Sequence, residues 1–104
     1  MDETKTLGEL LKKAREAKGL LLRQVAALID SDTALISKFE KDERIPTREQ
    51  ISKLARALNL DEEQLMVIYL SEKILGEIGN ETLGKQALKV AEKKMDYLKK
   101  KNKQ

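Results

Sequence analysis

The chain has no cysteine, no histidine and no tryptophan, and only one phenylalanine, two tyrosines and one proline among 104 residues. Without cysteine there is no disulfide, thiolate nucleophile or thiolate metal ligand, which fits a reducing cytoplasm. Without histidine the commonest catalytic base and metal ligand is missing. The opening MDETKTLGEL holds no long apolar run, so neither a signal peptide nor a membrane span is expected. No nucleophile motif, glycine-rich phosphate loop or metal-ligand spacing stands in the sequence. The acids fall mostly at helix starts or on polar faces, where they complement helix dipoles. These absences argue against an enzyme and predict no metal, no cofactor and no membrane partner. A small-molecule ligand is not expected, since no spare domain is present to hold one.

What remains is rich in Leu, Lys, Glu and Ala with only five glycines, the composition of an all-α protein. The length suits one small domain with an appendage. The net charge of +3 is unevenly spread. Met1 to Leu70 holds 12 basic and 13 acidic residues, and Ser71 to Gln104 holds 9 basic and 5 acidic, so the basicity belongs to the tail. We therefore divide the chain into residues 1–70 and a helical extension, 71–104.

Apolar stripes at helical spacing mark the elements. Thr6 with Glu9 reads as a capping box ahead of Leu7, Leu10, Leu11 and Ala14, and Gly19 stops that helix. Leu22, Val25, Ala26 and Ile29 form a short second stripe. Asp30-Ser31-Asp32 makes a tight turn, aspartate tolerating left-handed backbone better than most residues. After a loop over Asp42 to Pro46, Thr47 and Gln50 repeat the capping box before Ile51, Leu54, Ala55 and Leu58. Asp61 caps a fifth helix, with Glu62 and Glu63 in its first turn. From Leu65 to Ile78 the chain is apolar on more than one face, a surplus that calls for a partner. Gly76, Gly79 and Asn80 read as a break. A last helix spans Thr82 to about Lys99, with Leu88, Ala91, Met95 and Leu98 at a/d-like spacing, and KKKNKQ reads as a frayed end.

The stretch DTALISKFEK, Asp32 to Lys41, is the centre of the pattern. Asp32 is placed to cap it, and Leu35, Ile36 and Phe39 can pin it to a core. Ala34, Ser37, Lys38 and Lys41 fall on the opposite face, small at one end and basic at the other. Such a face can enter a DNA major groove without collision and still approach phosphates. Tyr69 and Tyr97 read as packing residues rather than base-stacking platforms.

GLLLRQVAALIDSDTALISKFEKDERIP, Gly19 to Pro46, resembles the lambda-repressor-like (Xre/Cro-type) helix-turn-helix family. The likeness covers about Thr6 to Leu65, with landmarks at Gly19-Leu20, Val25-Ala26, Ile36-Ser37, Phe39-Glu40, Pro46 and the LARALNL block, Leu54 to Leu60. It implies a five-helix DNA-binding domain with a C-terminal helical extension, usually a dimer on a pseudo-palindromic, double-stranded operator. Carried onto this chain, it makes Thr33, Ala34, Ser37 and Lys38 base-facing. Threonine and serine hydroxyls can bond base edges, the Thr33 and Ala34 methyls can meet a thymine methyl, and Lys38 can reach a guanine or a phosphate. Lys41, Arg44 and Arg48 match backbone-contacting positions, with Arg23 and Gln24 as phosphate candidates on the other side. Arg15 and Glu40 match a structural ion pair.

The family reading implies a cytoplasmic transcriptional regulator, a repressor or an autoregulatory controller; similar appendages occur in controllers of restriction–modification systems. We assign a homodimer interface to Met66, Tyr69, Leu70, Ile74, Leu75, Leu88, Ala91 and Met95. The chain departs from the family pattern at Leu21, where a Ser or Thr cap is usual, at Leu22, where many relatives carry Gln, and at Asp30, where Gly is usual. Leu21, Leu22 and the balanced charge of the first 70 residues favour an alternative, a protein-interaction module of the same fold such as an antitoxin or antagonist.

Overall fold

Six helices and no strand make up residues 1–102, the part of the chain described by the computed structural model. They are α1 (Leu7–Ala17), α2 (Leu22–Leu28), α3 (Thr33–Glu40), α4 (Arg48–Ala57), α5 (Glu62–Ile78) and α6 (Gly84–Asn102). Four of the starts are fixed by side-chain oxygens. Thr6 and Thr47 accept from the third amide of α1 and α4, and each is answered by Glu9 or Gln50 bonding the cap's own N–H. Asp32 accepts from Leu35 N–H at 2.8 Å to open α3. Asp61 does the same for Gln64 at the start of α5.

The ends of the first four helices share one device. Gly19, Asp30, Asp42 and Asn59 all take positive φ, between 54° and 66°. In each case the following N–H reaches back to the carbonyl five residues earlier: Leu20 to Arg15, Ser31 to Ala26, Glu43 to Lys38 and Leu60 to Ala55. This closure satisfies carbonyls that a helix end leaves orphaned. Only one of the four positions uses glycine; Asp and Asn carry the left-handed turn at the others, as their short polar side chains permit.

Connectivity divides the chain into two units, Met1–Lys73 and the segment from Ile74 onward, with α5 running through the boundary. The first unit holds the core. Leu7, Leu10 and Leu11 of α1 bury with Val25, Ala26, Ile36, Phe39, Ile51, Leu54, Leu65 and Ile68. Within it α3 packs on both α1 and α2, and α2 packs on α4. Burial of a side chain such as Phe39 or Ile51 contributes about 1.5–3 kcal/mol each.

In the second unit the side chains of α6 are exposed throughout, and Gly84 at its start is the buried position. A Cβ on Gly84 would collide with the Ile78 carbonyl, so glycine is what lets α6 begin so close to the end of α5.

Several expectations need correcting. The chain from Glu62 to Ile78 is one continuous helix, and Gly76 does not break it. Gly76 is exposed, and its missing side chain leaves an α-helix free to continue at a modest cost. The break comes at Gly79 and Asn80. α6 starts at Gly84 rather than Thr82 and runs through Asn102, so the expected frayed end is helical that far; residues 103–104 lie outside the described part. Tyr69, assigned to a dimer interface, is 3% exposed and belongs to the core, and Met66 packs partly buried against that core. No helix among the described residues is long and apolar enough to cross a membrane.

Candidate nucleic-acid interface

α3 is held by what it buries. Ile36 and Phe39 are both 2% exposed, and Leu35 packs partly buried beside them. At 100° per residue those positions leave Thr33, Ala34, Ser37, Lys38 and Lys41 on the other side of the helix. Thr33, Ala34, Lys38 and Lys41 are exposed and Ser37 is half-buried. The four candidate base-facing residues therefore share one accessible helix face. Lys41 is the C-terminal cap residue of that helix. Arg44 lies in the loop that follows and Arg48 is the first residue of α4, both exposed.

Arg23 and Gln24 sit in the first turn of α2 and are exposed. Leu21, at the cap position, has no side-chain acceptor to offer. Gln24 supplies half of the missing box instead: its Oε1 accepts from Leu21 N–H at 2.7 Å. The Gln24 carbonyl is thus occupied, and its amide NH2 remains free to donate to a phosphate.

Two tethers fix the far end of α3 to α1. Arg15 Nε donates to Glu40 Oε2 at 2.7 Å and Nη2 to Oε1 at 3.0 Å, a bidentate pair, while Nη1 donates to the Leu20 carbonyl. The two side chains are 13% and 7% exposed, so the pair is largely desolvated. The hydrogen bonds to Glu40 hold the Arg15 guanidinium pKa above its ordinary value.

The second tether is Asp42, one residue past the cap. Its Oδ2 accepts from Thr6 Oγ1 at 2.7 Å and its Oδ1 from Gly8 N–H at 2.9 Å. Glu72 of α5 completes the set by accepting from Leu7 N–H at 2.8 Å. The first amides of α1 thus meet carboxylates from α5 and from the turn after α3, where the helix dipole favours negative charge. The approach is close: a Cβ on Gly8 would lie 2.5 Å from the Phe39 carbonyl oxygen and 2.7 Å from that of Glu40.

Gly8, Asp42 and Glu72 carry positioning roles that pattern reading of the sequence did not assign. Asp42 had one local signal, an Asp just past a helix end. Its bonds to Thr6 and Gly8 cross 36 and 34 positions and leave no periodic trace.

Among the described residues the side-chain ion pairs are Arg15–Glu40 and Lys53–Glu49. Arg23, Lys38, Lys41, Arg44 and Arg48 therefore have no carboxylate oxygen of the described residues within 4.0 Å. Five unpaired cations flanking a helix face of small polar side chains can meet an anionic backbone while Thr33, Ala34 and Ser37 face what lies between its phosphates.

A family model described as helix-turn-helix matches residues 11–65. Two solved structures are similar in fold. The P22 c2 repressor, in complex with a synthetic operator, is 21% identical over 59% of this chain and 92% of its own, with a TM-score of 0.56. The clp gene regulator ClgR from C. glutamicum is 21% identical over 64% of this chain and 86% of its own, with a TM-score of 0.54. No curated protein sequence matches the chain.

Proposed function

This chain belongs to the helix-turn-helix family, and on that premise we propose that it is a DNA-binding transcriptional regulator that reads its site as a homodimer. The observation that carries the proposal is the accessible face of α3, Thr33, Ala34, Ser37 and Lys38, opposite a fully buried Ile36–Phe39 face. α3 enters the major groove, and its rotation about its own axis is set by Arg15–Glu40 and by Asp42. Ser37 and Thr33 exchange hydrogen bonds with base edges, and Lys38 reaches a guanine or the adjoining phosphate. Lys41, Arg44 and Arg48 on one side, with Arg23 and Gln24 on the other, fix the register through phosphates without carrying sequence information.

One such helix spans too few base pairs to define a site alone. A two-fold pair would place two of them in successive major grooves about 34–36 Å apart and so read a pseudo-palindrome. Repression by occlusion of a promoter, including the regulator's own, follows without a further domain. The exposed apolar residues Leu70, Ile74 and Leu75 of α5, with Leu88, Ala91 and Met95 of α6, support self-association through those helices. A second reading, docking to another protein, is favoured by Leu21 and Leu28, which stand 48% and 59% exposed beside the helix-turn-helix.

Selection from random duplexes, followed by salt titration of the enriched site, separates the two readings. The native protein should enrich a pseudo-palindrome and bind it with an affinity that falls steeply with salt. A Thr33→Ala, Ser37→Ala, Lys38→Ala variant of unchanged helicity should lose the preference and keep the weaker, salt-sensitive binding to any duplex. No enrichment and no salt-sensitive binding would sink the DNA reading and move the search to a protein partner.

A further inference from the structure

α6 has two opposed faces. Over 19 residues it carries Lys85, Lys89, Lys93, Lys94, Lys99, Lys100 and Lys101 against Glu92 and Asp96. At 100° per residue, Lys85, Lys89, Lys93 and Lys100 fall within an arc about 80° wide. Ala87, Leu88, Ala91, Met95 and Leu98 fall within a second arc, centred about 150° away from the first. The lysine arc runs about 22 Å along the helix axis, at 1.5 Å per residue. Asp96 also falls in it, leaving three net positive charges. All these side chains are exposed. Among the described residues none of the four lysines has a carboxylate oxygen within 4.0 Å.

We propose that this lysine face is a second, sequence-independent contact to the DNA phosphate backbone, separate from the face of α3. The inference rests on the DNA-binding reading and adds to it. The charge is complementary to a phosphate backbone, and the cations are not consumed by internal pairs. A surface lysine row has a solvated role by default, but such rows usually alternate with acids, and this arc holds four lysines to a single acid, Asp96. The first 70 residues, moreover, carry no net positive charge to draw a duplex in. Because the lysines lie opposite Leu88, Ala91, Met95 and Leu98, a partner seated on the apolar arc would leave them free. An anionic bilayer fits less well. The apolar arc is narrow, two of its five residues are alanine, and α6 has no Phe or Trp to seat it in a headgroup layer.

The test is a full-length Lys85→Gln, Lys89→Gln, Lys93→Gln, Lys100→Gln variant, with an all-arginine version as the charge-retaining control. Glutamine is a good helix former, so the far-ultraviolet circular dichroism should not move. The slope of log K against log salt should flatten by about 2–4 per chain, each phosphate contact contributing about 0.9. The loss should be equal on the selected site and on scrambled duplex, leaving their ratio unchanged, and arginine should restore it. An unchanged slope in a variant that still prefers the selected site would overturn this inference and leave the regulator reading standing. Loss of binding to vesicles of anionic lipid, with DNA binding intact, would likewise overturn it in favour of a membrane. Absence of salt-dependent DNA binding by the native protein would overturn both.

Discussion

Asp42 holds two positions at once. Its backbone, at φ 59°, closes the end of α3, and its carboxylate reaches Thr6 Oγ1 and the Gly8 amide. The two contributions can be separated by substitution. Asp42→Gly keeps the left-handed backbone at little steric cost and loses the carboxylate, while Asp42→Ala loses the carboxylate and strains the turn as well. Glycine should therefore cost about 1.5–3 kcal/mol, the range for hydrogen bonds to a charged group. Alanine should cost roughly 1 kcal/mol more, the left-handed penalty. Chemical denaturation of the two variants checks the ordering. Equal stability in the glycine and native proteins would mean that the carboxylate bonds contribute nothing net, and that the tether to α1 rests on Arg15–Glu40 alone.

At the scale of elements, α2 is the one of the first five helices whose start is least well supported. It is seven residues long, its cap residue is Leu21, and only the Gln24 side chain bonds the cap N–H. A Ser at the same place would accept from the amides of the first turn and give the reciprocal box that α1 and α4 already have. Leu21→Ser should raise stability by about 0.5–1 kcal/mol, read as a higher denaturation midpoint at unchanged slope. It also removes an exposed leucine, so little burial is lost in exchange. A fall in stability would show that Leu21 packs more usefully than its exposure implies.

The order of the helices was legible from this kind of local chemistry. Thr6, Asp32, Thr47 and Asp61 announce four starts, and stripes such as Ile51, Leu54 and Ala55 announce the buried faces. What was not legible is what depends on distant partners. Gly8 reads as a weak helix residue until the Phe39 carbonyl is seen 2.5 Å from where its Cβ would be. Tyr69 lies in an apolar run with surplus on every side, and periodicity could not say which residues the core would take. The candidate face of α3 could be drawn from spacing alone, since Ile36 and Phe39 determine it; the carboxylates that brace it could not.

Over the whole molecule, charge and apolar surface are distributed unlike each other. The first 70 residues are near neutral, with Arg23, Lys38, Lys41, Arg44 and Arg48 on α2, on α3 and in the segment that follows it, while the last 34 are basic and carry exposed Leu75, Leu83, Val90, Met95 and Leu98. Exposed apolar side chains in such number on a small chain mark a surface that something covers. A second copy satisfies two needs together, burying that surface and supplying the second reading helix that a pseudo-palindrome requires. The expected outcome is a dimer in analytical ultracentrifugation, with a mass that falls on dilution. Leu88→Lys with Met95→Lys should give a monomer of unchanged helix content, because both side chains are exposed and neither belongs to the core. That monomer should lose most of its affinity for a two-half-site duplex and little for a single half-site, since only the paired arrangement multiplies the two contacts. A native protein that stays monomeric well above the concentrations that saturate its DNA would end the dimer proposal, and the apolar surface would then have to be assigned to a different protein.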